Sequence, residues 1–272
     1  MTKRSIFSYA LACGGLIFFA AGCSTSPKTA AQPITPPAQI VSPTTTTTVD
    51  APSSTSTTGI VFKTETVEKK STYAETKVSY PQLQSGFDPS VMEAFNLAVA
   101  SSVHLVLDEY EQAVADLSKD APDTESYPWS YRLDVIPIYD SATLINAVGS
   151  GSEYTGGAHP NAIYANTLFD VASQKTIPVA DLFIDPKAAL TFLSEKSIEK
   201  LKTQNEIMQF SEEEWIGRGA GEDWLNFQFS HFSSEGFVIE FPPYQVAAYA
   251  AGPQSVTCSM DEIRPLLKER YR

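Results

Sequence analysis

Basic side chains, histidine and cysteine are all scarce in this 272-residue sequence. Lysine and arginine together number 19 against 32 aspartates and glutamates, a formal charge of −13. With no cationic surplus to displace phosphate counterions, nucleic-acid binding is excluded. Docking on an anionic membrane by charge alone is excluded too. The acidic balance favours a cationic partner or a self-repelling envelope protein. The three histidines (His104, His159, His231) and three cysteines (Cys13, Cys23, Cys258) form no cluster with metal-ligand spacing, so no metal or other cofactor is expected. No Ser-His-Asp order, nucleophile elbow or HExxH occurs, so no catalytic residue is assigned and the chain is not expected to be an enzyme. Hydrophobic residues at 43% and charged residues at 19% are ordinary for a globular protein and exclude wholesale disorder.

The amino terminus is rich in what the rest lacks. Lys3 and Arg4 form a basic head, residues 6–21 an apolar run, and Ala20-Ala21-Gly22 a small-residue end. Residues 1–22 therefore read as a secretory signal, too short for a stable spanning helix. Its removal makes the mature chain two charges more negative. The run Phe19-Ala20-Ala21-Gly22-Cys23 resembles the lipobox of bacterial lipoproteins, with alanine where leucine is usual. That resemblance implies acylation of Cys23 and stable attachment to a lipid bilayer by several acyl chains. An ordinary signal peptide with a chance cysteine is the alternative. Ser24, rather than aspartate, would permit outer-membrane sorting in a Gram-negative cell; a Gram-positive cell would carry the chain on its surface. Cys258 is then the one thiol left, unable to form an internal disulfide, and reads as a small buried residue near a strand end.

Residues 23–58 hold six prolines and five successive threonines at 44–48, a composition that buries no core and reads as a disordered linker. Two further units are expected, a strand–helix subdomain over residues 59–127 and a carboxy-terminal subdomain over residues 128–272. Residues 60–80 alternate as a strand that Pro81 should end. Asp88-Pro89 then opens a helix whose apolar stripe is Phe95, Val99, Val103, Val106, Tyr110, Val114 and Leu117. Strands are predicted over 130–139, 143–149 and 162–170, a helix over 186–203, and a strand over 224–232 with its hairpin partner over 237–241. A short strand at 256–258 and a helix over 261–270 complete the pattern. The fold class is α+β: antiparallel sheets with one long and one or two shorter helices packed on them.

Two motifs stand out. The first is the glycine-rich stretch 150–161, with Tyr154, Thr155, Gly156, Gly157 and His159. It lacks the lysine and Ser/Thr of a phosphate loop. Gly156 and Gly157 should supply positive φ, and His159 is a turn residue bonded to backbone, a ligand contact or a general base. The second is the stretch 241–253, where Pro242-Pro243 stops a strand and Tyr244 and Tyr249 flank small residues before Gly252-Pro253. Those tyrosines are either core packing for a sharp crossover or rigid recognition anchors. The acidic run Glu212-Glu213-Glu214 reads as a helix start capped by Ser211, and Glu222-Asp223 as a solvated loop rather than a glycosidase pair.

Tyr154-Thr155-Gly156-Gly157-Ala158-His159, followed by Phe169-Asp170, Asp181-Leu182-Phe183, Phe241-x-x-Tyr244 and Tyr249-Ala250-Ala251-Gly252-Pro253, resembles the RsiV-like family. This is the exported domain of the lysozyme-responsive anti-sigma-V factor. It also precedes the catalytic domain of PdaC-type peptidoglycan deacetylases and occurs alone in exported lipoproteins. The resemblance spans about residues 59–270 and implies an α+β fold with a ligand-binding role. With only Met1 to Ser5 before the hydrophobic stretch and three histidines in all, neither an anti-sigma factor nor a deacetylase is expected. The expected function is a lipid-anchored envelope protein with a non-catalytic binding domain, for a basic lysozyme-like protein or a peptidoglycan-related ligand. Tyr154, Thr155, Gly156, Gly157, His159, Tyr244 and Tyr249 are the candidate contacts. An enzyme modifying envelope polysaccharide and a structural envelope lipoprotein are the alternatives.

Overall fold

The computed structural model describes residues 59–120 and 129–272. The expected signal peptide, Cys23 and linker, and the loop at 121–128, lie outside the described residues. The first strand prediction resolves into a hairpin, β1 (Val61–Lys70) and β2 (Ala74–Ser85), turned by Ser71, whose amide and hydroxyl both bond the Ala74 carbonyl. Pro81 does not end the strand. It sits inside β2, beyond the stretch Ala74–Ser79 that pairs with β3 (Trp129–Asp140), where β2 has a neighbour on one side only. An edge-like position is where a ladder tolerates proline.

Helix α1 (Pro89–Asp120) begins as predicted, with the Asp88 carbonyl accepting from Val91 and Met92. Phe95, Val99, Val103, Val106 and Tyr110 are each 4% exposed or less. Val114 is half-buried, and the side chain of Leu117 lies outside the described residues. Burying each large apolar side chain contributes roughly 1.5–3 kcal/mol. By length and composition α1 could cross a membrane, but its stripe packs on the sheet instead, against residues such as Val78, Tyr131 and Ile145. The helix carries the chain from the end of β2 back to its start. As a result β2 and β3 pair in parallel, and the sheet is mixed rather than wholly antiparallel.

The remaining strands of this sheet are β4 (Leu144–Tyr154), β5 (Asn161–Asp170) and β6 (Lys175–Thr176), and the spatial order is β1-β2-β3-β4-β5-β6. The sheet thus joins residues 59–120 edge to edge with those after 128. The two-residue period sorts the faces of β4 and β5. Ile145, Ala147, Ile163 and Phe169 join the α1 core, whereas Leu144 and Leu168 join a second core on the other face.

That second core is closed by α2 (Pro186–Thr203), α3 (Asn205–Met208), α4 (Glu213–Gly219), a small antiparallel sheet of β7 (Ser230–Ser233), β8 (Gly236–Phe241) and β9 (Gln254–Cys258), and α5 (Met260–Ile263). Asp185 caps α2 by accepting from the amides of Lys187 and Ala188, with Pro186 at the first helical position. Three local expectations are corrected. The strand over 224–232 is a single 3-10 turn, Trp224–Phe227, followed by the four-residue β7, because the Asp223 carboxylate accepts from Leu225 N–H and starts a helical turn. Ser211 does not cap α4. Its hydroxyl donates to the Val246 carbonyl, and Glu212 holds the cap position without a side-chain bond. The helix over 261–270 stops at Ile263 and gives way to 3-10 turns, since Pro265 cannot donate an amide.

A pair of side-chain amides, one fully buried and one half-buried, ties the two sheets. Asn146, fully buried on β4, donates to Asn166 Oδ1 (2.9 Å) and to the Thr167 carbonyl (3.1 Å), and accepts from Phe232 N–H of β7 (3.1 Å). Asn166 in turn donates to the carbonyls of Gln228 and Ser230. A satisfied polar network of this kind fixes one docking register where apolar packing alone would allow several.

Candidate functional site

The first motif is less of a loop than its glycines suggest. Residues 150–154 continue β4, and only residues 155–160 leave the sheet. Gly151 is required inside the strand, because a Cβ there would lie 1.9 Å from the Arg132 carbonyl oxygen of β3. Gly156 and Gly157 have φ of 98° and 109° with open space around them, so they serve conformation rather than clearance. Tyr154, half-buried at the end of β4, folds its hydroxyl back to donate to the Gly157 carbonyl at 3.0 Å. Thr155, also half-buried, opens the loop. The outcome is a tight tip that projects His159.

The second motif begins, as expected, where Pro242 follows the end of β8. Gln245 N–H donates to the Pro242 carbonyl (3.0 Å), closing a turn with Pro243 second and Tyr244 third. Tyr244 has φ of 72°. Proline followed by positive φ is the pattern of a type II turn, in which the third residue is normally glycine or asparagine. A tyrosine there costs on the order of 1–3 kcal/mol. The surroundings hold it: Tyr244 N–H donates to the Ala247 carbonyl (3.0 Å), and Trp215 Nε1–H of α4 donates to the Tyr244 carbonyl (3.0 Å). The strained side chain is not buried in compensation, being 53% exposed. Residues Tyr249–Ala251 then form a 3-10 turn ended by Gly252 at φ 69°.

These two motifs meet. The His159 imidazole stacks on the Tyr249 ring with centroids 3.8 Å apart and planes 17° from parallel, and Tyr244 lies 5.6 Å from Tyr249. Tyr249 OH donates to the Pro160 carbonyl at 3.0 Å. His159 Nδ1 lies 3.0 Å from that same carbonyl, which can only accept, so Nδ1 carries the proton. Nε2 faces the Tyr244 hydroxyl at a long 3.4 Å. Of the seven residues singled out in the sequence, His159, Tyr244 and Tyr249 form one exposed aromatic patch, Tyr154 and the two glycines shape the loop that brings His159 there, and Thr155 places no ring.

The other histidines lie elsewhere. His104 makes an edge contact with Tyr80, and burial pushes the His231 imidazole below the usual histidine range, against a hydrogen bond to the Phe229 carbonyl. Asp170 is fully buried. Burial opposes its charge, but Tyr271 OH, the side chain and amide of Ser173 and the Arg270 guanidinium outweigh that and hold the carboxyl below its usual range. It is a structural anchor for the carboxy terminus. Asp223 accepts from Leu225 N–H and caps the Trp224–Phe227 turn. Trp215 and the Asn146–Asn166 pair were not anticipated. The Asn146 signal was present, a polar residue inside the apolar run Leu144-Ile145-Asn146-Ala147-Val148; Trp215 gave none.

Two family models match the chain, one described as Protein of unknown function (DUF3298) over residues 180–260 and one as Deacetylase PdaC over residues 67–162. The His159 loop falls in the second match and the Tyr244–Tyr249 segment in the first, so the patch forms where the two matched regions meet. Among characterised proteins, the chain is similar to the Peptidoglycan-N-acetylmuramic acid deacetylase PdaC of Bacillus subtilis (strain 168), at 23% identity over 165 residues, 59% of this chain and 35% of that protein. The chain thus spans about a third of that relative's length. Among solved structures, a DUF3298-family member from Bacteroides fragilis NCTC 9343 superposes with a TM-score of 0.57 at 17% identity, covering 79% of this chain and 96% of that one. A DUF3298 protein from Pseudomonas aeruginosa PAO1 gives 0.51 at 12% identity, covering 78% and 96%. At these identities the likeness is one of fold.

Proposed function

We propose that this chain is an exported envelope protein, anchored through an acylated Cys23, whose domain is a non-catalytic binding module of the RsiV-like kind. Its ligand is a peptidoglycan-related glycan, held at the patch of Tyr244, Tyr249 and His159. The observation that carries the reading is Tyr244. A non-glycine residue is kept at positive φ by two backbone hydrogen bonds and one from the Trp215 indole, and is still half in solvent. Ring faces with hydroxyl and imidazole edges suit a sugar, whose apolar face stacks while its hydroxyls bond. The similarity to a deacetylase named for N-acetylmuramic acid supports a peptidoglycan ligand.

A second reading has a specific observation behind it. The charge of −13 would steer a basic lysozyme-like protein to the same patch. One variant tests both. Tyr244→Gly relieves the positive-φ strain, so its melting temperature should equal or exceed that of the wild type, while co-sedimentation with purified peptidoglycan falls at least several-fold. Lysozyme capture at moderate salt decides between the ligands. Wild-type binding retained in a folded Tyr244→Gly protein would remove the patch from either role.

A further inference from the structure

The two outer edges of the large sheet are treated differently. β1 carries Lys63, Glu65, Glu68, Lys69 and Lys70, the charged edge that discourages pairing with another strand. The other edge is β5, and β6 covers only its end. Phe169 and Asp170 pair with β6, and Ile177 N–H donates to the Leu168 carbonyl. From Asn161 to Thr167 the outer side of β5 has no strand neighbour among the described residues. This stretch contains no charge, no proline and no bulge. Because the Leu168 carbonyl points outward and backbone groups alternate along a strand, the N–H and C=O of Ala162, Tyr164 and Asn166 point outward too.

A cleft of about 240 Å³ opens along the same edge, between Tyr164–Leu168 and the apolar residues Ile177, Pro178, Trp224, Leu225 and Phe229. It is smaller than the roughly 300–1,000 Å³ of clefts that enclose a small molecule. It suits one or two side chains of a chain lying along the edge. Leu225 stands 57% exposed at this cleft. The segments that supply its wall carry exposed Asp181 next to Ala180 and exposed Glu222 and Asp223 just before Trp224, three acids against the one cation Lys175 just before Ile177. The rim is therefore acidic, and a second copy of this acidic chain is electrostatically disfavoured there.

We propose that the β5 edge from Ala162 to Thr167 is a strand-addition site for an extended segment of a partner protein. The segment carries basic side chains around an apolar residue that enters the cleft beside Leu225. Backbone hydrogen bonds to the outward groups of β5 supply affinity, the cleft selects the apolar side chain, and the acidic rim selects the charge. At about 3.3 Å per residue the edge accommodates six or seven residues. This surface is distinct from the aromatic patch and does not depend on the function proposed for it.

The test titrates the full chain against a fluorescent peptide, Lys-Val-Lys-Val-Leu-Val-Lys, by polarisation. The expected result is binding in the micromolar range, weakened roughly tenfold or more when alternate peptide amides are N-methylated or when glutamate replaces lysine. Ala162→Pro, which removes one outward N–H, and Leu225→Lys, which puts a cation in the cleft, should each weaken it comparably. Tyr244→Gly should leave it unchanged, which separates this site from the patch. Leu225 is exposed, so its variant remains informative if Ala162→Pro lowers stability. The proposal is overturned if the peptide fails to bind at about 1 mM, if N-methylation is without effect, or if both folded variants bind as the wild type does.

Discussion

The imidazole of His159 lies flat on the ring of Tyr249, 3.8 Å between centroids, and both side chains bond the same Pro160 carbonyl. One backbone oxygen thus fixes two rings that come from opposite halves of the fold. A stacked ring pair contributes about 0.5–1.5 kcal/mol beyond its buried area. A double-mutant cycle with His159→Ala and Tyr249→Ala is expected to show a coupling of that size. Tyr249→Phe keeps the stack, loses only the hydroxyl bond, and should lower the melting temperature by about 2–4 °C. A coupling of zero would mean that the loop and the 3-10 turn are not docked in solution.

Tyr271 donates its hydroxyl to Asp170, and this bond has a pH signature. The folded carboxyl is held below its unfolded value. The stabilisation is therefore complete above the ordinary carboxylate range near pH 4, and is lost as pH falls through the lower folded value. Tyr271→Phe should cost about 1.5–3 kcal/mol at neutral pH by urea unfolding, as expected for a hydrogen bond to a charged group. The gap between wild type and variant should narrow on acidification below about pH 4. A gap independent of pH would show that Asp170 is not the titrating partner.

Cys258 is fully buried at the end of β9, and burial pushes its thiol up to about 11. Glu262 adds to the rise, and Lys200 and Lys196 reduce it. At pH 8 only about one thiol in a thousand is then ionised. In a Cys13→Ser, Cys23→Ser background, a disulfide reagent should leave the native protein unlabelled over an hour and label it fully in guanidinium. Rapid native labelling would mean that the β9 end opens readily.

The amphipathic repeat from Phe95 to Tyr110, the helix start at Asp88-Pro89 and the breaks at Pro242 and Gly252 were legible because each is a local matter of side-chain spacing or backbone restriction. The same holds for the positive φ of Gly156 and Gly157. Where local signals misled, a neighbour distant in sequence had intervened. Pro81 is tolerated inside β2 because the pairing of β2 with β3 has already stopped at Ser79. Ser211 turns from the helix cap to the Val246 carbonyl. The parallel pairing of β2 with β3 follows from where α1 delivers the chain, which alternation within either strand does not encode.

By itself the sequence determined the α+β class, the long helix and its buried stripe, the acidic character, and the two stretches, 150–161 and 241–253, in which function was to be sought. It named the rings but left open whether they are core or contact. Only the tertiary structure decided that His159, Tyr244 and Tyr249 share one exposed patch, since their approach depends on the Asn146–Asn166 network docking the small sheet against the large one. The strain at Tyr244 was equally invisible in one dimension. A φ of 72° on a tyrosine is set by Trp215 and Ala247 holding the turn, and no local preference of the residue would choose it.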